Sequence, residues 1–595
     1  MYPILALALL FTAKIKQMSK SNIHFTLSFA EPHAHYVDVQ MEIHGFDSDY
    51  IEVKMPVWTP GSYLIREYSR HVESFQAVSE NRSIAWQKTA KNTWRVANSS
   101  SPLQINYRIY GFEASVRTNF IDSDHAFISP AATFLYIDGH LNHPTTLSVK
   151  LPEQWSRIST GLDKVEDKEN CFYAPDFDIL FDSPLELGNQ DIWSFDAAGI
   201  PHEFAMVGGG KYDKHKLTSD IQKIVEEETR IWGENPNKRY VFVTHNYQSA
   251  FGGLEHLNST ILASSRNAYS NENTYKNYLS LVAHEYFHLW NVKRLRPKAL
   301  GPFDYEQENY TTGLWIMEGF TSYYDNLIIR RCGFFSPKEY LNVLSNDFNL
   351  VYNRPGYKLQ SAALSSFDTW IKHYRPDENS ANTGISYYNK GAILTVALDI
   401  KIIAETAGQY CLDYVLRAAY ELFYKQENRG FEEDEFQTLA ERVTGVDLSE
   451  IFTAAHSTKE LDYNTYFHAV GHELIDLNED SQELSLGIKT GVQDGKIIIK
   501  QIERGSGAWD AGLQVNDELI GINGIRLDIA GKELDNILTH AEVDEVVDVL
   551  VSRDGLLRTI HSPLRRSAKQ QWCIRERSEA TDHEITLGKI WLSIE

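Results

Sequence analysis

At 595 residues the chain is too long for one hydrophobic core, and at about 150 residues per domain it suggests four units. With 43% hydrophobic, 23% charged and 12% aromatic residues, it has the composition of a folded chain and excludes wholesale disorder. The 57 Lys+Arg against 81 Asp+Glu leave a net charge of -24, which excludes general binding to nucleic acid or anionic membrane, whose phosphates would repel it.

Tyr2 to Ala13 form an apolar run followed by Lys14 and Lys16. A secretory signal carries its charge before the apolar run, and this run is too short to span a membrane. Met18 offers a second start. Residues 1–17 are therefore expected to be a leader or a mis-called start, with 1–22 lying before the first domain. No later segment is apolar enough to cross a membrane. Cys171, Cys332, Cys411 and Cys573 lie far apart with no C-x-x-C, which excludes a cysteine zinc cluster and a dense disulfide framework. A reducing, cytoplasmic location is expected, with export as the alternative that the apolar N-terminus leaves open.

From Ile23 to about Phe172 short alternating runs are broken by Gly, Pro, Asn and Ser. His24–Phe29, Val37–Ile43 and Leu103–Ile109 alternate with period two, which predicts an antiparallel sheet with one wet face. After residue 200 the period changes. Asp220 to Trp232 predicts a helix with Glu226, Glu227 and Glu228 on its outer face. Arg239–Thr244 predicts a strand. Thr274–Val292, Thr312–Arg331 and Gly391–Ala407 predict helices, and beyond Leu484 strands and turns return.

His284-Glu285-Tyr286-Phe287-His288 is H-E-x-x-H. Residues four apart share a helix face, so both imidazoles can reach one metal, and Glu285 can address a water on it. Most of Tyr278–Trp290 is apolar. Asn277, Ser280, His284, His288 and Asn291 form one narrow polar stripe, which a metal with its supporting hydrogen bonds would satisfy. Two hydrogen-bonded core histidines would satisfy it as well. A catalytic zinc needs a third protein ligand. Glu318, a lone acid among Trp315, Met317 and Phe320, is the best candidate. Asp304, Glu306 and Glu308 compete from a polar, loop-like stretch. Asp325 shares a face with Glu318, with solvent exposure its default. Gly252-Gly253-Leu254-Glu255-His256 reads as an edge strand that a peptide can join, with Glu255 placed to receive a substrate ammonium. An ordinary turn with an exposed Glu is the alternative. Lys293, Arg294 and Arg296 are expected to be structural. Tyr387-Tyr388-Asn389-Lys390-Gly391 opens a helix.

These motifs, in order, resemble the gluzincin aminopeptidases of the aminopeptidase N family: G-x-M-E-N, H-E-x-x-H, W-x-x-E-G-F, Y-x-K-G. His256 replaces the Asn, and the gap from His288 to Glu318 is longer. Both departures fit the PDZ-containing glycyl aminopeptidase family (metallopeptidase family sixty-one). Trp290-Asn291-Val292-Lys293-Arg294-Leu295-Arg296-Pro297 and Met55-Pro56-Val57-Trp58-Thr59-Pro60-Gly61-Ser62-Tyr63 resemble its signatures. Leu484-Ser485-Leu486-Gly487-Ile488 and Gly505–Gly524 resemble a PDZ domain.

The resemblance implies a multidomain α+β fold. An N-terminal β-sandwich-like domain would span 23–195, a thermolysin-like zinc domain 196–333, an α-helical domain 334–475, a PDZ-like domain 476–562 and a tail 563–595. It implies one Zn(2+) per chain on His284, His288 and Glu318. Glu285 would be the general base and Tyr388 the oxyanion donor, with Tyr387 as the competing phenol. Glu255, Gly252 and Gly253 would bind substrate. Peptides with a free N-terminus, small and glycine-like, would be the substrates, and a peptide C-terminus would occupy the PDZ module. The alternatives are a PDZ peptide-binding scaffold with a vestigial metal site and a gluzincin endopeptidase. From Gly471 to Ile560 there are 18 Asp+Glu against 8 Lys+Arg, so this module carries -10 of the net -24.

Overall fold

The computed structural model describes residues 22–98 and 102–593. The expected leader at 1–17 lies outside the described residues. The chain divides into two compact units. One holds the residues up to Tyr310 together with Tyr420–Phe431; the other holds Thr311–Ala419 and everything from Glu432 onward. The fold is multidomain and mixes α and β.

In the first unit, β1 (Asn22–Ser28), β2 (Tyr36–His44) and β3 (Leu103–Tyr110) alternate buried and part-buried positions. Ile23, Phe25 and Leu27 face the core, while His24, Thr26 and Ser28 face outward, as period two requires. The three strands are antiparallel neighbours in an eight-stranded sheet. β4 (Ala126–Ile128) belongs to a separate four-stranded sheet. The expectation of a purely antiparallel sheet breaks at β1, whose other neighbour, β5 (Thr145–Lys150), runs parallel to it. β6 (Leu185–Gly188) pairs antiparallel with β4. The eight-stranded sheet and two four-stranded sheets enclose one apolar core, the sandwich-like arrangement that alternating strands favour.

The same unit continues into a five-stranded sheet with helices. β7 (Asp191–Ala197) and β8 (Ile200–Val207) form a hairpin. α1 (Lys214–Trp232) is capped by the Asp213 carboxylate and ends at Gly233 in the left-handed conformation. It starts earlier than the sequence predicts, and Glu228 is buried rather than outward, because three consecutive residues cannot share one helix face. β9 (Tyr240–Tyr247) is buried along nearly its whole length, as a central parallel strand must be. β10 (Gly252–Glu255) and β11 (Ser259–Ser265) complete the order β7-β8-β9-β11-β10. β10 is thus an edge strand, paired antiparallel with β11 alone. α2 (Glu272–Phe287) follows, capped by Asn271.

The second unit is helical before its β module. α3 (Leu314–Arg331), α4 (Pro337–Tyr352) and α5 (Tyr387–Glu405) are its principal helices. α3 and α5 are almost wholly buried, the pattern of interior rods. Strands within Ile488–Pro563 form an antiparallel sheet over a core that includes Leu486, Ile499, Leu519 and Val549. Asn382, buried, clasps this module to the helices. Its Nδ2 donates to the Ile502 carbonyl at 2.8 Å, and its Oδ1 accepts from the Arg504 amide at 2.9 Å. The stretch 563–595, expected as a tail, contains strand Trp572–Glu576, paired with His472–Asp476, and helix α6 (Asp582–Trp591). Trp591 is buried and donates from Nε1 to the Tyr323 hydroxyl. The four cysteines are thiols rather than disulfides. Among the described residues no helix is long and apolar enough to cross a membrane.

Candidate active site

The first unit supplies the histidine pair. α2 ends at Phe287 and His288 is its C-cap, so the helix stops short of the predicted Val292. The stripe along it runs from exposed Asn277 through half-buried Ser280 and His284 to buried His288 and Asn291. The Nε2 atoms of His284 and His288 face each other at 3.1 Å. His288 Nδ1 donates to the Asn291 carbonyl at 2.8 Å, which fixes that tautomer and leaves Nε2 as a lone pair. Two imidazole nitrogens directed at one point, one of them held as an acceptor, are the donor chemistry of a transition-metal site. Past His288 the chain turns back sharply. Val292 sits at φ 115°, a strained conformation for a β-branched residue, held by the hydrogen bond its N–H donates to the Leu295 carbonyl.

Glu285 is buried beside β10. A Cβ on Gly253 would lie 2.2 Å from Glu285 Oε1, so only glycine at 253 leaves room for this carboxylate. Glu255 is 4% exposed and therefore not the exposed turn residue that the sequence also allowed. Gly61, from the N-terminal β domain, packs on it: a Cβ there would sit 2.5 Å from Glu255 Oε1. The same domain sends Arg117 to donate to the Gly253 carbonyl at 3.3 Å. Neither Gly61 nor Arg117 was identifiable as a site residue, because nothing local in the sequence links them to β10.

The basic knot is structural, as expected. Lys293 Nζ lies 2.8 Å from Asp182 Oδ1, and His256 Nδ1 lies 2.9 Å from the same atom. Burial opposes ionisation of Asp182, but Lys293 and His256 overcome it and hold the carboxyl at about 2. Arg294 donates to the carbonyl of Leu289 and to Asn237 Oδ1, both at 2.7 Å. Arg296 lies over the Phe303 ring. His256, the departure from the aminopeptidase N pattern, thus anchors the strand end to Asp182.

Glu318 and Tyr388 lie in the second unit. Glu318 is 2% exposed in the second turn of α3. Its rivals are differently employed: Glu306 pairs with Lys54, and Asp304 bonds the Glu306 amide and the Gln307 side chain. Asp325 is buried rather than exposed. Gly319 and Gly391 face each other where α3 crosses α5; a Cβ on Gly319 would lie 2.5 Å from Gly391 Cα. The two glycines bring the helix carrying Glu318 against the one that carries Tyr388 in its first turn. Tyr387 is fully buried and hydrogen-bonded to Thr369, whereas Tyr388 is only partly buried. Of the two phenols, Tyr388 is the one with exposed surface. The rings stack at 4.7 Å, and His373 stacks on Tyr388 at 5.4 Å. The Glu318 carboxylate acts electrostatically on both His373 and Tyr387. His373 carried no signal in the sequence. Lys390 is buried and paired with Glu460 at 2.9 Å, which fixes the start of α5.

Residues 24–189 match the Peptidase M61 N-terminal domain, residues 277–394 the M61 glycyl aminopeptidase and residues 474–552 the PDZ domain. Among solved structures the chain is similar to an aminopeptidase N family protein from Idiomarina loihiensis. The identity is 28% and the TM-score 0.89, over 96% of this chain and 100% of that one. A weaker similarity, 12% identity and TM-score 0.47, links it to the M1 zinc metallopeptidase from Deinococcus radiodurans over 74% of this chain and 94% of that one. Among curated proteins it is 30% identical over 113 residues to the carboxy-terminal processing protease CtpB of Bacillus subtilis (strain 168). That match covers 19% of this chain and 23% of the relative's length.

Proposed function

Because the chain belongs to the M61 glycyl aminopeptidase family, we propose that it is a zinc aminopeptidase that removes small, glycine-like residues from peptide N-termini. The observation that carries this reading is the His284–His288 pair, with its facing nitrogens and the His288 tautomer set by Asn291. His284, His288 and Glu318 would supply the two-imidazole, one-carboxylate donor set suited to one zinc per chain. Zinc, when bound, polarises the scissile carbonyl and acidifies the attacking water.

The chain's own residues do the rest. Glu285, held in place by the gap at Gly253, takes the water's proton and delivers it to the leaving amine. The Tyr388 phenol donates to the oxyanion of the tetrahedral intermediate. Among the described residues β10 is the terminal strand of its sheet, so the peptide joins the sheet as an added strand. Glu255, at the end of that edge, receives the substrate ammonium, which makes the enzyme an exopeptidase. The PDZ module binds a peptide C-terminus.

The test is a panel of aminoacyl and peptide substrates, each with a free and with an acetylated N-terminus. Hydrolysis of the free glycyl and alanyl members is expected, with loss on chelation and recovery with zinc. Equal cleavage of acetylated substrates would instead establish an endopeptidase, and no metal-dependent cleavage at all would leave the peptide-binding scaffold.

A further inference from the structure

A second set of metal-binding side chains lies in the first unit, away from the H-E-x-x-H helix. Glu186, on β6, is completely buried. Its two carboxylate oxygens are each met by a histidine. His125 Nδ1 lies 2.8 Å from Oε1, and His245 Nε2 lies 2.8 Å from Oε2. His125 immediately precedes β4, so it and Glu186 come from the N-terminal β domain. His245 is on β9 of the five-stranded sheet. One ligand atom from each of the three residues lies within 4.8 Å of the other two.

Hydrogen bonding within the cluster leaves one buried nitrogen unsatisfied. His245 is 2% exposed, and its Nδ1 is buried with no hydrogen-bond partner. A buried ring nitrogen without a partner is costly, and the cluster's own hydrogen bonds do not reach it. His125 forms part of the wall of a cavity of about 610 Å³, together with Asp122, Asp124 and Asp191. Against these three acids and Glu186, the nearby cations include Arg266, on the same wall, Lys214, which is paired with Asp191, and Arg157, which also acts electrostatically on Asp191. The surroundings favour a cation, and the cavity gives it a route in. Two imidazoles and a carboxylate are a donor set for zinc and its neighbours in the first transition series. A divalent ion in place of the two N–H protons would use His125 Nδ1, His245 Nε2 and a Glu186 oxygen, with water from the cavity in the remaining position.

We propose that His125, Glu186 and His245 bind one divalent cation of the zinc class, at a second site that ties the N-terminal β domain to the five-stranded sheet. The ligands come from both layers, so the ion is a structural cross-link.

The experiment counts metal on the full-length chain. Protein stripped with chelator is dialysed against micromolar zinc, and bound zinc is measured by elemental analysis. The His284→Ala/His288→Ala variant, which lacks the H-E-x-x-H histidines, is expected to keep about one zinc per chain. Adding His125→Ala, a change at a cavity wall, should weaken that zinc at least tenfold, and Glu186→Gln should do the same. Zinc should raise the thermal midpoint of the double variant and leave that of the triple variant unmoved. Cobalt in the double variant should give visible absorption bands of a site with nitrogen and oxygen ligands. A folded double variant that binds no zinc, or a triple variant that binds it equally well, would overturn the proposal, because either shows that the three residues form a hydrogen-bonded cluster only.

Discussion

Glu285 is the residue on which the proposed chemistry turns. Glu285→Gln keeps the side chain's shape but cannot take a proton, so kcat should fall about 100-fold or more with metal content unchanged. Near-normal turnover of metal-loaded mutant protein would refute the assignment. Gly253 tests the same carboxylate indirectly. A Cβ there meets Glu285 Oε1 at 2.2 Å, so Gly253→Ala must displace one or the other. A shift of about 1 Å in a catalytic group costs on the order of 100-fold. Gly253→Ala should therefore lower kcat by 10- to 100-fold while the thermal midpoint stays within a few degrees of wild type. Unchanged kcat would show that Glu285 has another place to sit. The H-E-x-x-H pair was legible at this scale because its residues lie four apart on one helix. The contacts of Gly61 and Arg117 with β10 were not, because they join segments remote in the chain.

Helices α3 and α5 are held together where Gly319 meets Gly391. Gly391→Ala would place a methyl 2.7 Å from Gly319 Cα and from the Trp315 carbonyl. Backbone cannot yield as a side chain can, so a loss of about 1–3 kcal/mol in urea unfolding is expected. Further along α5, Asp399 is 1% exposed. Burial raises its carboxyl to about 6, although the Tyr323 hydroxyl at 2.6 Å and the Leu412 amide favour the ionised form. A carboxyl with a raised pKa binds its proton more tightly folded than unfolded. Its favourable contribution is present below about pH 4 and is lost as the pH rises through 6. Asp399→Asn does not titrate, so its stability relative to wild type should improve by up to about 3 kcal/mol between pH 4 and pH 7. A difference flat across that range would show that Asp399 stays at its ordinary value. The motif glycines were visible in the sequence as letters; that two of them oppose each other across a helix crossing was not.

Across the whole molecule, bound metal should be a source of stability as well as of chemistry. An ion held only by the folded chain stabilises it by about 2.7 kcal/mol when free metal exceeds its Kd 100-fold. Chelation should lower the thermal midpoint of the wild-type chain, and zinc should restore it; a midpoint indifferent to chelator would mean that no metal is bound to the folded form. The acidity that first excluded nucleic acid belongs in large part to the PDZ end, whose strands and charge were both readable in order along the chain. The sequence by itself determined the alternating strands, the buried helices and the H-E-x-x-H pair, because each rests on spacing within a short window. It could not determine that Asn382 clasps the PDZ module or that residues 563–595 return as a strand and a helix. Nor could it show that His125, Glu186 and His245 converge. Those depend on which distant segments lie side by side, which burial of the whole core decides and no local periodicity encodes.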